Sequence, residues 1–245
     1  MSGVLRDMWD YLQSPDAWSG RNGLPALAWA HLRVSVVALL VAAAVAVPAG
    51  VVLGHVKRGA LVAVSVVNIG RAVPSFAVLA LLLPFSLRYG FGLGFWPTIV
   101  ALVLLAIPPI FTNTYTGVRD VPADAVEAAQ GMGMRGGELV RRVELPVALP
   151  LVLTGLRVSA VQVVATATLG ALVGYRNLGT LIVTGFTSPD KGRMLAGAVA
   201  VALMALAIDA LFALAARVLV PWRRKPGRWA DVTVTGRDGA ATAVP

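Results

Sequence analysis

The sequence contains no cysteine, which excludes disulfide bridges and thiol-bound metal sites. It also contains little charge: 13% of its 245 residues are Asp, Glu, Lys or Arg, whereas 58% are hydrophobic. Together with a mean hydropathy of +0.78, this composition lies far outside the range of soluble domains. The sequence therefore indicates an integral membrane protein.

Groups suited to catalysis are equally scarce. The two histidines, His31 and His55, have no nucleophile or carboxylate close by in sequence, and the chain contains no phosphate-binding loop of the GxxxxGK(S/T) type. The net charge of +9 fits cytoplasmic loops held near anionic lipid, since no nucleic-acid-binding motif is present. We therefore expect no catalytic residue, metal, cofactor or nucleic-acid partner, and any ATP hydrolysis must come from another chain.

Hydrophobic segments divide the chain into five predicted membrane helices, since about 20 apolar residues cross the hydrocarbon layer. The segments are residues 34–54, 60–85, 95–116, 146–172 and 194–220. They lie in a predicted transmembrane domain, residues 31–221. Residues 1–30 fit an interfacial helix or a loosely ordered terminus, and residues 222–245 form a basic tail expected to be disordered and cytoplasmic. The polar stretch 174–191 is too short to span and fits a re-entrant or surface helix.

The placement of Lys and Arg predicts the orientation of these helices. Twelve of the 21 basic residues fall on the side of the charged loop between the third and fourth segments, and seven fall on the other. Basic residues concentrate on the cytoplasmic side of membrane proteins. The sequence therefore predicts a multi-pass protein of the bacterial inner or plasma membrane, with the N-terminus outside and the C-terminus in the cytoplasm.

The charged loop, residues 120–146, carries the most informative pattern. Its sequence predicts two short helices separated by glycines, and adjacent alanines leave one side of the first helix nearly bare. Such a helix suits a groove in another protein, although an ordinary solvated loop is the alternative. Six positions at fixed spacing stand out, which chance would produce in about 10⁻⁷ of starting positions at average residue usage; they are Glu127, Ala128, Ala129, Gly133, Leu145 and Pro146.

This spacing resembles the EAA loop of permease subunits of ABC importers, with Val143 in place of the family's isoleucine. The resemblance implies the type I importer fold: an all-α membrane protein with five core transmembrane helices and a cytoplasmic coupling helix between helices 3 and 4. It also implies that the six loop residues couple the chain to a separate dimer of ATP-binding subunits. A second permease subunit, identical or a sister chain, and an extracytoplasmic solute-binding protein are the other implied partners.

Three further stretches, within residues 69–84, 128–157 and 165–179, resemble the osmoprotectant branch, whose members import glycine betaine, choline, carnitine or proline betaine. The resemblance places the aromatic cage for a quaternary ammonium group in the binding protein. In agreement, only Tyr115 among the four tyrosines falls in a predicted span. A permease for another small solute, such as an amino acid, remains an alternative. An ATPase-independent secondary transporter is less well supported, because Asp209 is the one acid in a span.

Polar and helix-breaking residues within the spans are candidates for the transport pathway. They are Arg71, Pro74, Ser75, Asn113, Tyr115, Gln162, Thr166 and Thr168. The polar residues after Pro108 and Pro109 have a second interpretation, which is that they satisfy carbonyl groups freed by the two prolines.

Two charges lie at matching depth within the fourth and fifth predicted helices. Arg157 and Asp209 are each eleven residues from the cytoplasmic end of their helix, about 16 Å at 1.5 Å per residue. Because an unpaired charge at that depth is costly, we predict that they form an ion pair. The alternative is that each side chain reaches water separately, and Arg71 is expected to face the pathway or helix carbonyls.

Overall fold

The computed structural model of this chain describes residues 2–57, Ser65 and 74–221, and every regular element in them is helical. The helices are α1 (Ser2–Gln13), α2 (Pro15–Trp18), α3 (Leu24–His55), α4 (Ser75–Arg88), α5 (Phe95–Arg119), α6 (Ala123–Gly131), α7 (Gly137–Leu139), α8 (Leu145–Ala167), α9 (Gly179–Thr187) and α10 (Lys191–Leu219). A π-helical turn, Val140–Glu144, joins α7 to α8, and a 3₁₀ turn, Thr168–Val173, extends α8.

Among the residues that the structure describes, four helices are long and apolar enough to cross a membrane. They are α3, α5, the continuous stretch Gly137–Val173 and α10. Most of the first half of the second predicted segment, 60–85, lies outside the described residues, and its second half is α4. Helix α3 begins at Leu24, well before the uncharged run at Val34, because Pro25 suits a first helical turn. The predicted N-terminal segment 1–30 therefore ends inside α3, and the predicted tail 222–245 lies outside the described residues.

Helix α5 lies at the centre of the bundle, between α3 and α8. The face of α3 that packs on it carries a small residue every fourth position: Ala38, Ala42, Ala46, Gly50 and Gly54. A Cβ atom added at Gly50 would lie 2.8 Å from the Cβ of Thr114, so only glycine permits this approach. Small residues are what allow membrane helices to pack backbone against backbone.

The bundle has two distinct ends. At one end the last turns of α3 and α5 meet the loop that contains α6, and we call this the loop end. At the other end, the turn before α5 meets the turn after α8, since a Cβ at Gly94 would lie 3.1 Å from the carbonyl oxygen of Gly174. We call this the turn end.

The N-terminal helix α1 packs at the turn end against α10, where Gly192 contacts the backbone of Asp7. The guanidinium carbon of Arg193 lies 5.3 Å from the centroid of the Tyr11 ring, within the range of a cation–π contact. Helix α1 is therefore packed against the bundle, and whether residues 1–30 lie at the membrane interface stays a prediction.

A buried asparagine organises the connection between α8 and α9. The Asn177 side chain donates to the carbonyl of Ala167 (2.7 Å) and accepts from the backbone N–H of Gly179 (2.7 Å). Its own backbone N–H donates to the hydroxyl of Thr180 (3.2 Å). These bonds satisfy polar groups that the end of α8 would otherwise leave unpaired, and they hold the start of α9 against α8. Residues 179–187 are helical, and whether they form a re-entrant or a surface helix stays a prediction.

Candidate coupling and transport sites

The EAA loop forms a small folded unit at the loop end. Helix α6 begins after Pro122, and its inner side carries Val126 and Ala129. These side chains pack with Val121 and Leu139 into a cluster separate from the core of the bundle. A nine-residue helix in water would be unstable alone, so this cluster holds α6 in place.

The two adjacent alanines of α6 do not share one face. Ala129 is only 2% exposed, whereas Ala128 and Glu127 are exposed. Because successive residues of a helix point about 100° apart, Ala129 falls on the same side as Val126, three positions earlier. The expectation that both alanines leave a bare outer side is therefore corrected. Ala128 lies on the surface, whereas Ala129 packs in the cluster that supports the helix.

Gly133, two residues after the end of α6, has a backbone conformation that glycine favours. Its φ angle is +91°, and a Cβ atom there would meet nothing within 4 Å. The requirement is thus conformational rather than steric. The N–H of Gly133 donates to Gln130 (2.9 Å) and that of Met134 to Ala129 (3.1 Å), which caps the carbonyl end of α6.

The loop is tied to the bundle by a contact that sequence reasoning missed. Leu145 and Pro146 begin α8 directly after the π-helical turn, and Glu144 at the end of that turn is 3% exposed. Its Oε2 atom lies 2.8 Å from Nδ1 of His55, the last residue of α3. The two residues are 89 positions apart, so spacing in sequence offered no signal for this pair.

The pathway candidates that the structure describes do not gather at one place. Arg71 lies outside the described residues. Pro74 is exposed and caps the start of α4. Ser75 and Thr166 line one small cavity between α4, α5 and the end of α8. Gln162 lies one helical turn before Thr166, and the hydroxyl of Thr168 donates to the carbonyl of Ala165 (2.9 Å).

The polar residues that follow the double proline mostly bond within their own helix. The amide of Asn113 donates to the carbonyl of Pro109 (2.8 Å), and the hydroxyl of Thr112 donates to that of Pro108 (2.8 Å). Tyr115 is 3% exposed and stacks on Phe111 with ring centroids 6.1 Å apart. Its ring packs in the core between α3 and α5, and its role in the pathway stays a prediction.

Arg157 and Asp209 meet in a bidentate contact between α8 and α10. The Arg157 Nε and Nη2 atoms each lie 2.6 Å from a different carboxylate oxygen of Asp209. The side chains are 43% and 38% exposed, so the pair faces outward from the single chain. A cavity of about 250 Å³ lies beside it, lined by residues that include Thr154, Phe212 and Arg217.

Comparison with known proteins identifies the family to which this chain belongs. The model of the family described as "Binding-protein-dependent transport system inner membrane component" matches residues 46–225. The choline transport system permease protein OpuBB of Bacillus subtilis (strain 168) is 39% identical, over 78% of this chain and 86% of that protein. The glycine betaine/carnitine/choline transport system permease protein OpuCB of the same organism is 37% identical, with the same coverage of both chains.

A solved structure shares the fold. A chain of the MetNI methionine ABC transporter in an inward-facing conformation superposes with a TM-score of 0.69 at 24% identity, covering 80% of this chain and 95% of that one. The predicted all-α fold of ABC importer permeases is confirmed, as is the resemblance on which it rested. This multi-pass chain belongs to the family of binding-protein-dependent transport system inner membrane components.

Proposed function

We propose that this chain is the permease subunit of an ATP-driven importer for a quaternary ammonium osmoprotectant such as glycine betaine or choline, and that α6 is its coupling helix. The observation that carries the proposal is the separately packed loop unit, in which Ala129 lies inside and Glu127 and Ala128 lie outside. The names of the relatives support the solute class, since they include choline, glycine betaine and carnitine.

The mechanism follows from how the loop unit is attached. ATP is bound and hydrolysed by a partner dimer, whose closure moves α6 as a rigid body. Glu127 and Ala128 meet the ATPase, Ala129 keeps the helix on its support, and Gly133 allows the chain to turn back. The displacement of α6 is transmitted to α8 through Leu145 and Pro146, and to α3 through the His55–Glu144 contact. A second permease subunit, identical or a sister chain, completes the pathway.

The orientation of the chain in the membrane follows from the placement of its basic residues. The loop end faces the cytoplasm, and the turn end receives solute from an extracytoplasmic binding protein through residues 88–95 and 174–191. This chain is naturally free of cysteine, so single cysteines report the topology directly. Cysteine at Ser188, exposed at the end of α9, should react with an impermeant maleimide from outside, and cysteine at Gln130, exposed on α6, only from inside. Labelling of both from one side would contradict this orientation.

The coupling role is tested by enlarging Ala128 in the complete transporter, with its ATPase and binding protein, in proteoliposomes. Ala128→Trp should abolish solute-stimulated ATP hydrolysis and uptake of labelled glycine betaine, because the ring occupies the docking surface. Ala128→Ser should retain both, and Val45→Trp, at an exposed position of α3 away from both ends of the bundle, is the matched control. Full coupling in Ala128→Trp would refute the role of α6, whereas a wild-type transporter that carries neither glycine betaine nor choline would refute the solute.

A further inference from the structure

Aromatic residues are concentrated in one short stretch at the turn end. Residues 85–96 hold five of the seventeen aromatic residues of the chain. They are Phe85, Tyr89, Phe91, Phe95 and Trp96, and glycines at positions 90, 92 and 94 lie among them. The sequence-based count of intramembrane tyrosines overlooked this cluster, because it lies where α4 ends and α5 begins and consists mainly of Phe and Trp.

The turn that carries these rings has a defined geometry. Gly90, Gly92 and Gly94 have φ angles of +75°, +72° and +88°, which L-residues with a side chain rarely adopt. The Ser86 hydroxyl donates to the carbonyl of Gly92 (2.6 Å), and the N–H of Phe91 donates to the carbonyl of Ser86 (2.9 Å). The turn therefore folds back on the last turn of α4, and the rings of Phe91 and Trp96 meet with centroids 5.7 Å apart.

Four of these rings line an open cavity of about 320 Å³ between α4 and α5, a size typical of small-molecule sites. Four of its lining residues are aromatic, and none of the described residues that line it is charged; the lining is Leu82, Phe85, Ser86, Tyr89, Phe91, Trp96, Pro97 and Val100. The rings are accessible, since Trp96 is 50% and Phe91 57% exposed. The cavity thus offers several aromatic rings to a ligand, and none of the described residues that line it supplies a counter-ion.

We propose that this cavity binds the trimethylammonium group of the solute at the turn end, before the solute enters the membrane. A cation over the faces of Trp, Tyr and Phe is attracted by their quadrupoles. A primary ammonium would lose its hydrogen bonds to water in such a lining, whereas a trimethylammonium group has no N–H to satisfy. The inference rests on the proposed function, because it assigns a permease site to the solute class proposed there.

Binding is tested on the full-length chain in nanodiscs of phosphatidylethanolamine and phosphatidylglycerol, which contain no choline headgroup. Saturation-transfer NMR should detect the N-methyl protons of choline but only weakly the tert-butyl protons of 3,3-dimethylbutan-1-ol, its uncharged isostere. Trp96→Leu and Phe91→Leu should remove the choline signal. Trp96→Phe, which keeps an aromatic face, should retain it and so separates loss of the site from a folding defect. Trp29→Leu, exposed on α3, is the matched control.

Uptake by the complete transporter separates failure of this inference from failure of the proposed function. Trp96→Leu should raise the KM for labelled choline about five-fold, the factor for about 1 kcal/mol of lost cation–π attraction. A wild-type transporter without choline or glycine betaine uptake would refute the function. Wild-type uptake with an unchanged KM in Trp96→Leu would overturn the inference. If the N-methyl signal of choline is absent, the rings form an aromatic belt at the membrane surface rather than a solute site. If added phosphatidylcholine displaces choline, the cavity is a site for lipid headgroups.

Discussion

Two side-chain pairs, each containing one carboxylate, join distant parts of this chain, and they differ in their surroundings. Arg157 and Asp209 meet about halfway along two membrane helices and are roughly 40% exposed. His55 and Glu144 meet at the loop end, where the carboxylate is buried among helix ends. In water, an exposed pair contributes little to stability. Within a membrane, the Arg157–Asp209 pair should contribute more to stability than the His55–Glu144 pair. The reason is that an unpaired charge inside a span has no water to solvate it.

The exposure of the Arg157–Asp209 pair has a consequence for the assembled transporter. The side of α8 and α10 that carries Arg157 and Asp209 is open in the single chain. Bidentate bonding between the side chains reduces the cost of their charges but leaves some donors and acceptors unsatisfied. We therefore expect protein or water, rather than lipid tails, to cover this side in the complete importer.

The largest expected effect comes from breaking the pair inside the membrane. Arg157→Ala and Asp209→Ala should each reduce the amount of folded protein several-fold, because each leaves one charge unpaired within a span. The exchange Arg157→Asp with Asp209→Arg should restore much of the loss. The measurement is the monodisperse fraction of solubilised membranes in fluorescence-detected size-exclusion chromatography. An exchange no better than either single variant would mean that the pair does not stabilise the fold, and Thr154→Ala on the same helix is the control.

An intermediate effect is expected at the loop end. His55→Leu removes the donor to the buried Glu144 carboxylate, which should cost about 1–3 kcal/mol. His55→Gln can still donate a hydrogen bond, so it should lose less. Thermal unfolding of the purified chain in detergent checks the order of wild type, His55→Gln and His55→Leu. Equal melting temperatures for all three would mean that the contact contributes nothing to stability.

The difference between the two pairs also explains what could be predicted from the sequence. Arg157 and Asp209 stand out as charges in apolar segments, and counting residues from the helix ends places them at one depth. Membrane helices run nearly parallel, so depth alone narrows the choice of partner. His55 and Glu144 lie in charged stretches at helix ends, where many polar residues are possible partners. Their contact depends on how α3 and the π-helical turn pack, which no local pattern records.

The same limit applies to side chains whose environment depends on tertiary packing. Helical periodicity shows that Ala128 and Ala129 point in different directions, but not which of them faces the cluster around Leu139. Tyr115 is polar at one end and lies in a predicted span, yet its ring stacks in the core. The aromatic cavity depends on three glycines with positive φ angles that bend the turn back. Local sequence indicates a turn there, but not that the rings enclose a cavity.

The smallest effect is expected at the pair between Glu138 and Arg142 in the EAA loop. The carboxylate and guanidinium are 3.2 Å apart, one helical turn from each other, with side chains 46% and 67% exposed. Such a pair contributes about 0.3–0.5 kcal/mol in water, so Glu138→Ala should lower the melting temperature by about 1–2 °C. It should also become indistinguishable from wild type in high salt, because exposed charges are screened. His55→Leu, whose carboxylate is buried, should keep its deficit in the same salt. If Glu138→Ala lowered the melting temperature as much as His55→Leu and the decrease persisted in high salt, exposure would not explain the difference in stability between these pairs.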